Sequence, residues 1–343
     1  MVCTNSVKNN EQELKMKLSK KMITTVLAVA TAFIGVASSA APKRDKPLKV
    51  LAIGNSFSIC VLDEMPKIAA DLGCPLDFCS MYIPGCTLDR HAANLKNPDD
   101  NAYRINWSYV SCKRGDEPFR DALALVKGKH GGKQHRSNIE RMLKADKWDV
   151  VTIQQGSHKS WQEKSYEPHG TKLINMIKKC APQAKIYVQQ TWSYTPWDKR
   201  LRLWKMTPDE MYAKLEKAYD KFAKSHGLEI IPTGEAVQRY RKGLPVKYTE
   251  KSNNDVVGSA DFKKLSKPSE WWPVGVEKET GLSWPSGDVF HFNWQGEYLQ
   301  GLVWTAILFD VDVTKCNYSP KYLKIDSPQA VLMKKIANEL RKR

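Results

Sequence analysis

The stretch that decides the reading of this chain is "LKVLAIGNSFSIC", residues 48–60. Its first half explains itself. Val50, Leu51, Ala52 and Ile53 form the short continuous apolar run of a strand buried on both faces, as the strands of parallel sheets are. The second half, Gly54-Asn55-Ser56, is not strand sequence. Gly lets the backbone turn sharply or approach another group closely, and Ser56 falls at the C-terminal edge of the sheet, where open α/β folds place ligands. A turn in which Ser or Asn caps the next helix accounts for the same letters. The string alone leaves both readings open, and the capping turn is the plainer one.

Upstream the pattern changes. Lys15, Lys17, Lys20 and Lys21 precede an apolar run over 22–37, and the small residues of "SSAAPKRD" follow. Basic flank, short apolar core and small residues predict a secretory signal peptide over residues 1–40, with Met16 as an alternative start. The run is short for a membrane span and contains three threonines, Thr24, Thr25 and Thr31. The expectation is a secreted or periplasmic protein with no stable membrane insertion after cleavage.

The formal charge is +17, and without the leader, whose five lysines face two glutamates, +14 remains on about 300 residues. That length suits one large α/β domain. The surplus is dispersed through "KRDKPLK", "KGKHGGKQHR", "DKRLRLWK" and "KKIANELRKR". A dispersed basic surface is solvated lysine or a general attraction to acidic polymers, so acidic polysaccharide is a partner class to consider. Nucleic acid is not expected, because no binding motif accompanies the charge. Seven cysteines follow the leader: Cys60, Cys74, Cys79, Cys86, Cys112, Cys180 and Cys316. An odd number in a chain of this size is not a disulfide framework. With no CxxC pair and no HExxH, neither a structural zinc site nor another metal or cofactor is expected.

Downstream, apolar strand-like runs recur between helical ones: "CPLDFCSMYI" (74–83), "DVVTI" (149–153), "AKIYVQQ" (184–190) and "LEIIP" (228–232). Helical spacing marks 61–72, 170–182 and 208–227, the last with Met211, Leu215, Ala218, Tyr219 and Phe222 on one stripe and Gly227 as its stop. Alternation of this kind predicts a parallel sheet covered on both faces. Two polar stretches interrupt it, 87–147, with a helix expected only near its end, and 244–287. Long irregular stretches in a compact domain tend to be functional.

Near the other end, "SGDVFHFNWQGEYLQGLVWTAILF" places Asp288 and His291 with two residues between them, ahead of a helical pattern beginning about Tyr298. One loop can then hold a carboxylate that orients an imidazole, the base that a serine needs before it becomes a nucleophile. Taken alone, such a pair is also ordinary surface sequence. His91, His130, His135, His169 and His226 lie in polar surroundings and read as surface residues. Trp192, Trp197, Trp204, Trp271, Trp272, Trp284 and Trp294 fall in or beside the loops that follow the strands, where aromatic rings either stack on sugar faces or are simply buried.

Taken together, these segments resemble the SGNH (GDSL-like) hydrolase superfamily, and within it a branch of secreted bacterial proteins whose first motif reads G-N-S-F-S. Gly54-Asn55-Ser56-Phe57-Ser58 matches that motif, Gly85 in "IPGCTLDRH" matches the glycine after the second strand, and Asp288 with His291 matches the closing D-x-x-H. The resemblance implies a three-layer α/β/α sandwich, flavodoxin-like, with about five parallel strands. It would form one domain over 41–343, with insertions near 87–147 and 244–287. It implies Ser56 as nucleophile, His291 as general base and Asp288 as orienter, with the N–H groups of Ser56 and Gly85 in the oxyanion hole and no cofactor. The chain departs from the pattern at the third motif, where the family's G-x-N-D is replaced by "QQGSHKS". Matching the glycine to Gly156 puts His158 at the asparagine position, Gln154 and Gln155 have the better amide chemistry, and Gln155 is favoured. The implied activity is a serine esterase acting on an acylated carbohydrate or another small ester, with Trp271, Trp272, Trp284 and Trp294 as substrate contacts. A non-catalytic glycan-binding protein on the same scaffold is the alternative.

Overall fold

The computed structural model describes residues 44–97, 101–110, 136–195, 198–243, 290–321 and 323–342. In chain order these form β1 (Leu48–Gly54), α1 (Ser56–Ile59), α2 (Val61–Asp71), β2 (Leu76–Tyr82), α3 (Leu88–Asn94), β3 (Tyr103–Val110), β4 (Arg136–Ser137), α4 (Ile139–Ala145) and β5 (Val150–Ile153). There follow α5 (His169–Cys180), β6 (Lys185–Gln189), α6 (Lys199–Leu203), α7 (Pro208–His226), β7 (Glu229–Ile231), α8 (Thr233–Gly243), α9 (Trp294–Phe309) and α10 (Pro328–Arg341).

One sheet runs in the order β4-β3-β2-β1-β5-β6-β7. β1 pairs in parallel with both β2 and β5, and β5-β6 and β6-β7 continue in parallel. Five parallel strands in this arrangement, the second outside the first and the rest on the other side, give the flavodoxin-like order. Val50, Leu51 and Ala52 are fully buried in the central strand, which is why their stretch of sequence does not alternate. Full burial of a side chain such as Leu51 stabilises the fold by about 1.5–3 kcal/mol.

Helices flank the sheet in two groups. In one, α9 packs on α2 and α10, and α8 on both α9 and α10. α9 is apolar nearly all round and mostly buried, as such a helix must be. Its Gly301 sits so close to α2 that a Cβ there would lie 2.9 Å from the Met65 backbone nitrogen. In the other group α5 packs on α3 and α4, and Gly170 of α5 faces the Phe222 ring of α7. α7 shows how local sequence sets its own ends. Thr207 and Glu210 form a reciprocal capping box, Pro208 opens the helix, and Gly227 closes it at φ 63°.

The polar stretch 87–147 departs from expectation. It holds α3 as well as the expected α4, and β3 extends the sheet antiparallel to β2. "YRINWSYV" alternates, with Tyr103 and Ile105 buried and Arg104 and Asn106 less so, the pattern of a strand covered on one face. The expected leader 1–40, the excursion 244–287 and the central part of the first insertion lie outside the described residues. Among the described residues no helix is long and apolar enough to cross a membrane.

Candidate active site

β1 and β5 are neighbours at the point where the strand order reverses, and the loops leaving their C-terminal ends meet there, at the place where such sheets bind ligands. At the exit of β1 both readings of the turn hold at once. Asn55 is extended and caps α1, its Oδ1 accepting from the Phe57 N–H at 3.0 Å. Ser56 is the first helical residue, and its Oγ lies 2.7 Å from His291 Nε2. Both side chains are half-buried, so the pair is accessible. Gly54 permits this geometry because a Cβ there would sit 2.6 Å from Ser58 Oγ and 3.1 Å from Gln154 Cδ.

Asn55 does more than cap. Its Nδ2 donates to the Cys86 carbonyl at 2.9 Å, and its Oδ1 also accepts from Gln154 Nε2. These bonds fix both amides, because the Asn55 oxygen must face two donors and the Gln154 nitrogen must face that oxygen. Buried Asn55 thus joins the loops leaving β1, β2 and β5. The β2 loop turns through Ile83-Pro84-Gly85-Cys86, closed by the Cys86 N–H on the Ile83 carbonyl at 3.0 Å. Gly85 takes φ 61°, which this third turn position demands of glycine, and it is exposed.

Gln155, the favoured third donor, is engaged elsewhere. Both of its amide hydrogens go to Ser165, to the carbonyl at 2.8 Å and the hydroxyl at 3.0 Å. Its oxygen accepts from the Leu88 N–H at 2.9 Å and the Gly156 N–H at 2.8 Å. That side chain braces the β5 loop against α3 and has no hydrogen left for a substrate. Gln154, the neighbour on the opposite side of the chain, is the one that reaches the Ser56 turn, through Asn55. His158 lies beside Gly156, half-buried, its imidazole held below the usual range first by burial and then by Lys159 and Arg200.

Aromatic rings wall the His291 imidazole. Phe290 lies 4.3 Å and Phe57 5.5 Å from it between ring centroids. Trp192 stacks between Phe57 at 3.9 Å and Phe292 at 3.6 Å, and its Nε1 donates to the Phe290 carbonyl at 2.9 Å. Trp192, a candidate sugar contact in the sequence, is therefore fully buried core that shapes the site from behind. The Phe57 carbonyl accepts from both Gln189 Nε2 and Gln300 Nε2 at 3.0 Å, clamping the turn to β6 and α9. None of Phe290, Gln189 and Gln300 carries a sequence motif; Gln189 alone is signalled, by its place at the C-terminal end of β6.

Asp288, Trp197, Trp271, Trp272 and Trp284 lie outside the described residues, as do His130, His135 and Cys112. Trp294 is half-buried at the first position of α9, three residues from His291. Trp204 is half-buried against Trp161 and Tyr194. His91 corrects the surface expectation: it is wholly buried on α3, bonded through Nδ1 to the Tyr103 hydroxyl at 2.7 Å, and burial pushes its pKa down to about 3. His226 is half-buried and pairs with Glu167 at 2.6 Å, and His169 is half-buried at the start of α5. Among the described residues no two cysteines form a disulfide, and no group of three His, Cys, Asp or Glu side chains is placed to hold a metal ion.

The family model described as a domain of unknown function (DUF4886) matches residues 49–255, more than half of the chain. The chain belongs to the DUF4886 family. A DUF4886 family protein from Bacteroides uniformis is similar in fold, with a TM-score of 0.63 and 24% identity over 86% of this chain and 94% of that one. Looser likenesses are a proposed SGNH hydrolase from Slackia heliotrinireducens, with 17% identity, a TM-score of 0.43 and coverage of 75% and 96%, and a proposed GDSL-like lipase from Parabacteroides merdae, with 13% identity, a TM-score of 0.39 and coverage of 77% and 96%. No curated protein matches this DUF4886 chain.

Proposed function

We propose that the protein is a secreted serine esterase that removes acyl groups, acetyl first among them, from a carbohydrate. The observation that carries the reading is the 2.7 Å approach of His291 Nε2 to Ser56 Oγ at the crevice between β1 and β5. In this reading His291 takes the Ser56 proton as the hydroxyl oxygen attacks the ester carbonyl. Negative charge then forms on the carbonyl oxygen, where the N–H groups of Ser56 and Gly85 meet it, each such donor contributing about 3 kcal/mol. Collapse expels the alcohol, which regains the proton from His291, and a water activated by the same imidazole releases the acyl group from Ser56. Asp288 receives the orienting role from the D-x-x-H motif. Export follows from the leader pattern, and the carbohydrate from the aromatic side chains around the crevice.

A fluorophosphonate probe tests the nucleophile directly. The expected result is one adduct per chain, mapped to the peptide containing Ser56, with labelling suppressed in His291→Ala. Labelling of other serines at a similar rate, or none on the intact chain, would overturn the assignment.

Asn55 is assigned a positioning role, because it sets the distance between the Ser56 turn and the Gly85 turn. Asn55→Ala should lower kcat about 10²-fold with KM little changed, since the fault lies in oxyanion geometry rather than ground-state binding. Loss of the cap adds about 1 kcal/mol of destabilisation, visible as a small fall in Tm. A rise in KM at unchanged kcat would place Asn55 in substrate binding instead.

A further inference from the structure

The two helices nearest the Ser56–His291 pair lean on each other. α2 follows the Ser56 turn after the single residue Cys60, and α9 begins three residues after His291. The start of α9 is tied to both partners. Its N-cap, Asn293, accepts from the N–H groups of Gln295 and Gly296 at 3.0 and 3.1 Å and stands two residues from His291. Its Gln300 donates to the Phe57 carbonyl, next to Ser56, at 3.0 Å. Ser56 is anchored by β1, so a shift of the first turns of α9 moves His291 relative to it and strains the Gln300 bond.

The contact between α9 and α2 is close. A Cβ at Gly301 would lie 2.9 Å from the Met65 nitrogen and 2.9 Å from Ile68 Cδ1. One turn nearer the start of α9, on the same face, stands Glu297. It is half-buried, and its carboxyl has no hydrogen bond or ion pair among the described residues.

What it faces is acidic. Asp63 and Glu64 precede Met65 in the first turn of α2. Glu64 is 5% exposed and already accepts from the Tyr318 hydroxyl at 2.6 Å and the Lys67 ammonium at 3.0 Å. Lys67, engaged in that way, is the cation of α2 that acts on Glu297. α8 and α10 also pack on α9, and among the described residues neither brings a charged group that acts on it. A carboxylate in the first turn of a helix ordinarily keeps its charge. Here burial, then Asp63 and Glu64, outweigh Lys67, and the Glu297 carboxyl is pushed up to about 7.

We propose that Glu297 is a pH-sensitive latch between α9 and α2: neutral, it lets the two helices close, and ionised, it is repelled by Asp63 and Glu64, lifts the start of α9 and draws His291 away from Ser56. The latch rests on the esterase reading for its effect on turnover and adds regulation of that site, with activity falling on the alkaline side. The folded carboxyl titrates above its ordinary value of 4.5. The closed contact is therefore fully favourable below about pH 4.5, and that contribution is lost as the pH rises through about 7.

Two measurements on the full chain test the latch, each comparing wild type with Glu297→Gln, which keeps the shape of the side chain and removes its charge. In the first, kcat/KM on a small uncharged acetate ester, corrected for the Ser56→Ala rate, should fall about fivefold from about pH 6.5 to 8.5 in wild type and about twofold at most in Glu297→Gln. Asp63→Asn should move the falling limb to lower pH and Lys67→Gln to higher pH, because one removes a like charge and the other an opposite charge. Both residues are exposed on α2, so these two variants keep the test decisive even if Glu297→Gln folds poorly. In the second, the amides of residues 297–301 should exchange with solvent about 5- to 10-fold faster in wild type than in Glu297→Gln at about pH 8, and equally at about pH 5.

Exchange that differs by the same factor at both pH values, or not at all, overturns the latch. A pH-dependent difference in exchange with identical activity profiles overturns it as well, since the loosening would then stop short of His291. If no ester is cleaved in a Ser56-dependent way, the esterase reading fails, and exchange alone decides the latch: a difference confined to the higher pH supports it, and any other result overturns it.

Discussion

Ser56→Ala should lower turnover of a small activated acetate ester by about 10⁴–10⁶-fold, the loss seen when a serine nucleophile is removed from a working triad. The magnitude follows because His291, without an oxygen to deprotonate at 2.7 Å, has no acyl acceptor to activate. The substitution should leave the fold alone. The cap of α1 belongs to Asn55 Oδ1, and alanine is at ease in a helix. Initial-rate kinetics on the purified variant, with Tm measured alongside, check both halves. Equal slow rates in wild type and variant would show that the cleavage comes from elsewhere on the surface, and a glycan-binding role on a hydrolase scaffold would replace the esterase.

The second large effect is on stability. Gly234 opens the first turn of α8 where it presses on the strand exit after β6: a Cβ there would lie 2.1 Å from the Thr191 carbonyl oxygen and 3.0 Å from Gln190 Oε1. No rotamer relieves a contact between Cβ and backbone. Either α8 retreats, breaking the Glu235 N–H bond to Gln190 Oε1 at 2.8 Å, or the loop moves. That loop carries Trp192, and with it the ring stack behind His291. Gly234→Ala should therefore cost about 3 kcal/mol or more, the upper range for overpacking, and reduce the proposed turnover of the acetate ester as well. Gly243→Ala is the control, since its Cβ would meet only the flexible end of Leu332 at 3.2 Å. Chemical denaturation of the three proteins measures the difference. A wild-type midpoint for Gly234→Ala would mean that the helix and loop are not in close contact.

The five parallel strands were legible because strands covered on both faces leave short continuous apolar runs that few other structures produce. β3 was not, since "YRINWSYV" alternates and sits among polar residues that read as loop. The order of the motifs pointed to Ser56, Gly85 and His291, and the structure brings Ser56 and His291 together. It could not rank Gln154 against Gln155. Adjacent residues at a strand exit point to opposite sides, and which side meets Asn55 depends on the pairing of β5 with β1, not on side-chain chemistry. Burial was equally hidden: His91 stands among polar neighbours in sequence but is wholly buried and stacks on Tyr103 of β3 in space. Lys334, inside the basic string "KKIANELRKR", is only 8% exposed and donates to the Cys316 carbonyl at 2.6 Å.

The two ends of the sheet bear on a hazard that has nothing to do with catalysis. Runs such as "KVLAI" and "DVVTI" are uncharged over most of their length, β-branched and free of proline, the kind of segment that stacks into amyloid when it meets its own copy. Here the first lies three strands in from either edge, and the second lies two strands in from β7. The outermost strands are two and three residues long, one opening with Arg136 and the other with Glu229, which pairs with Lys185 at 2.6 Å. Short, charged margins offer an incoming chain little backbone to template on. Among the described residues, exposing these two segments accordingly requires the sheet to open through its middle, and fraying at its margins leaves them covered.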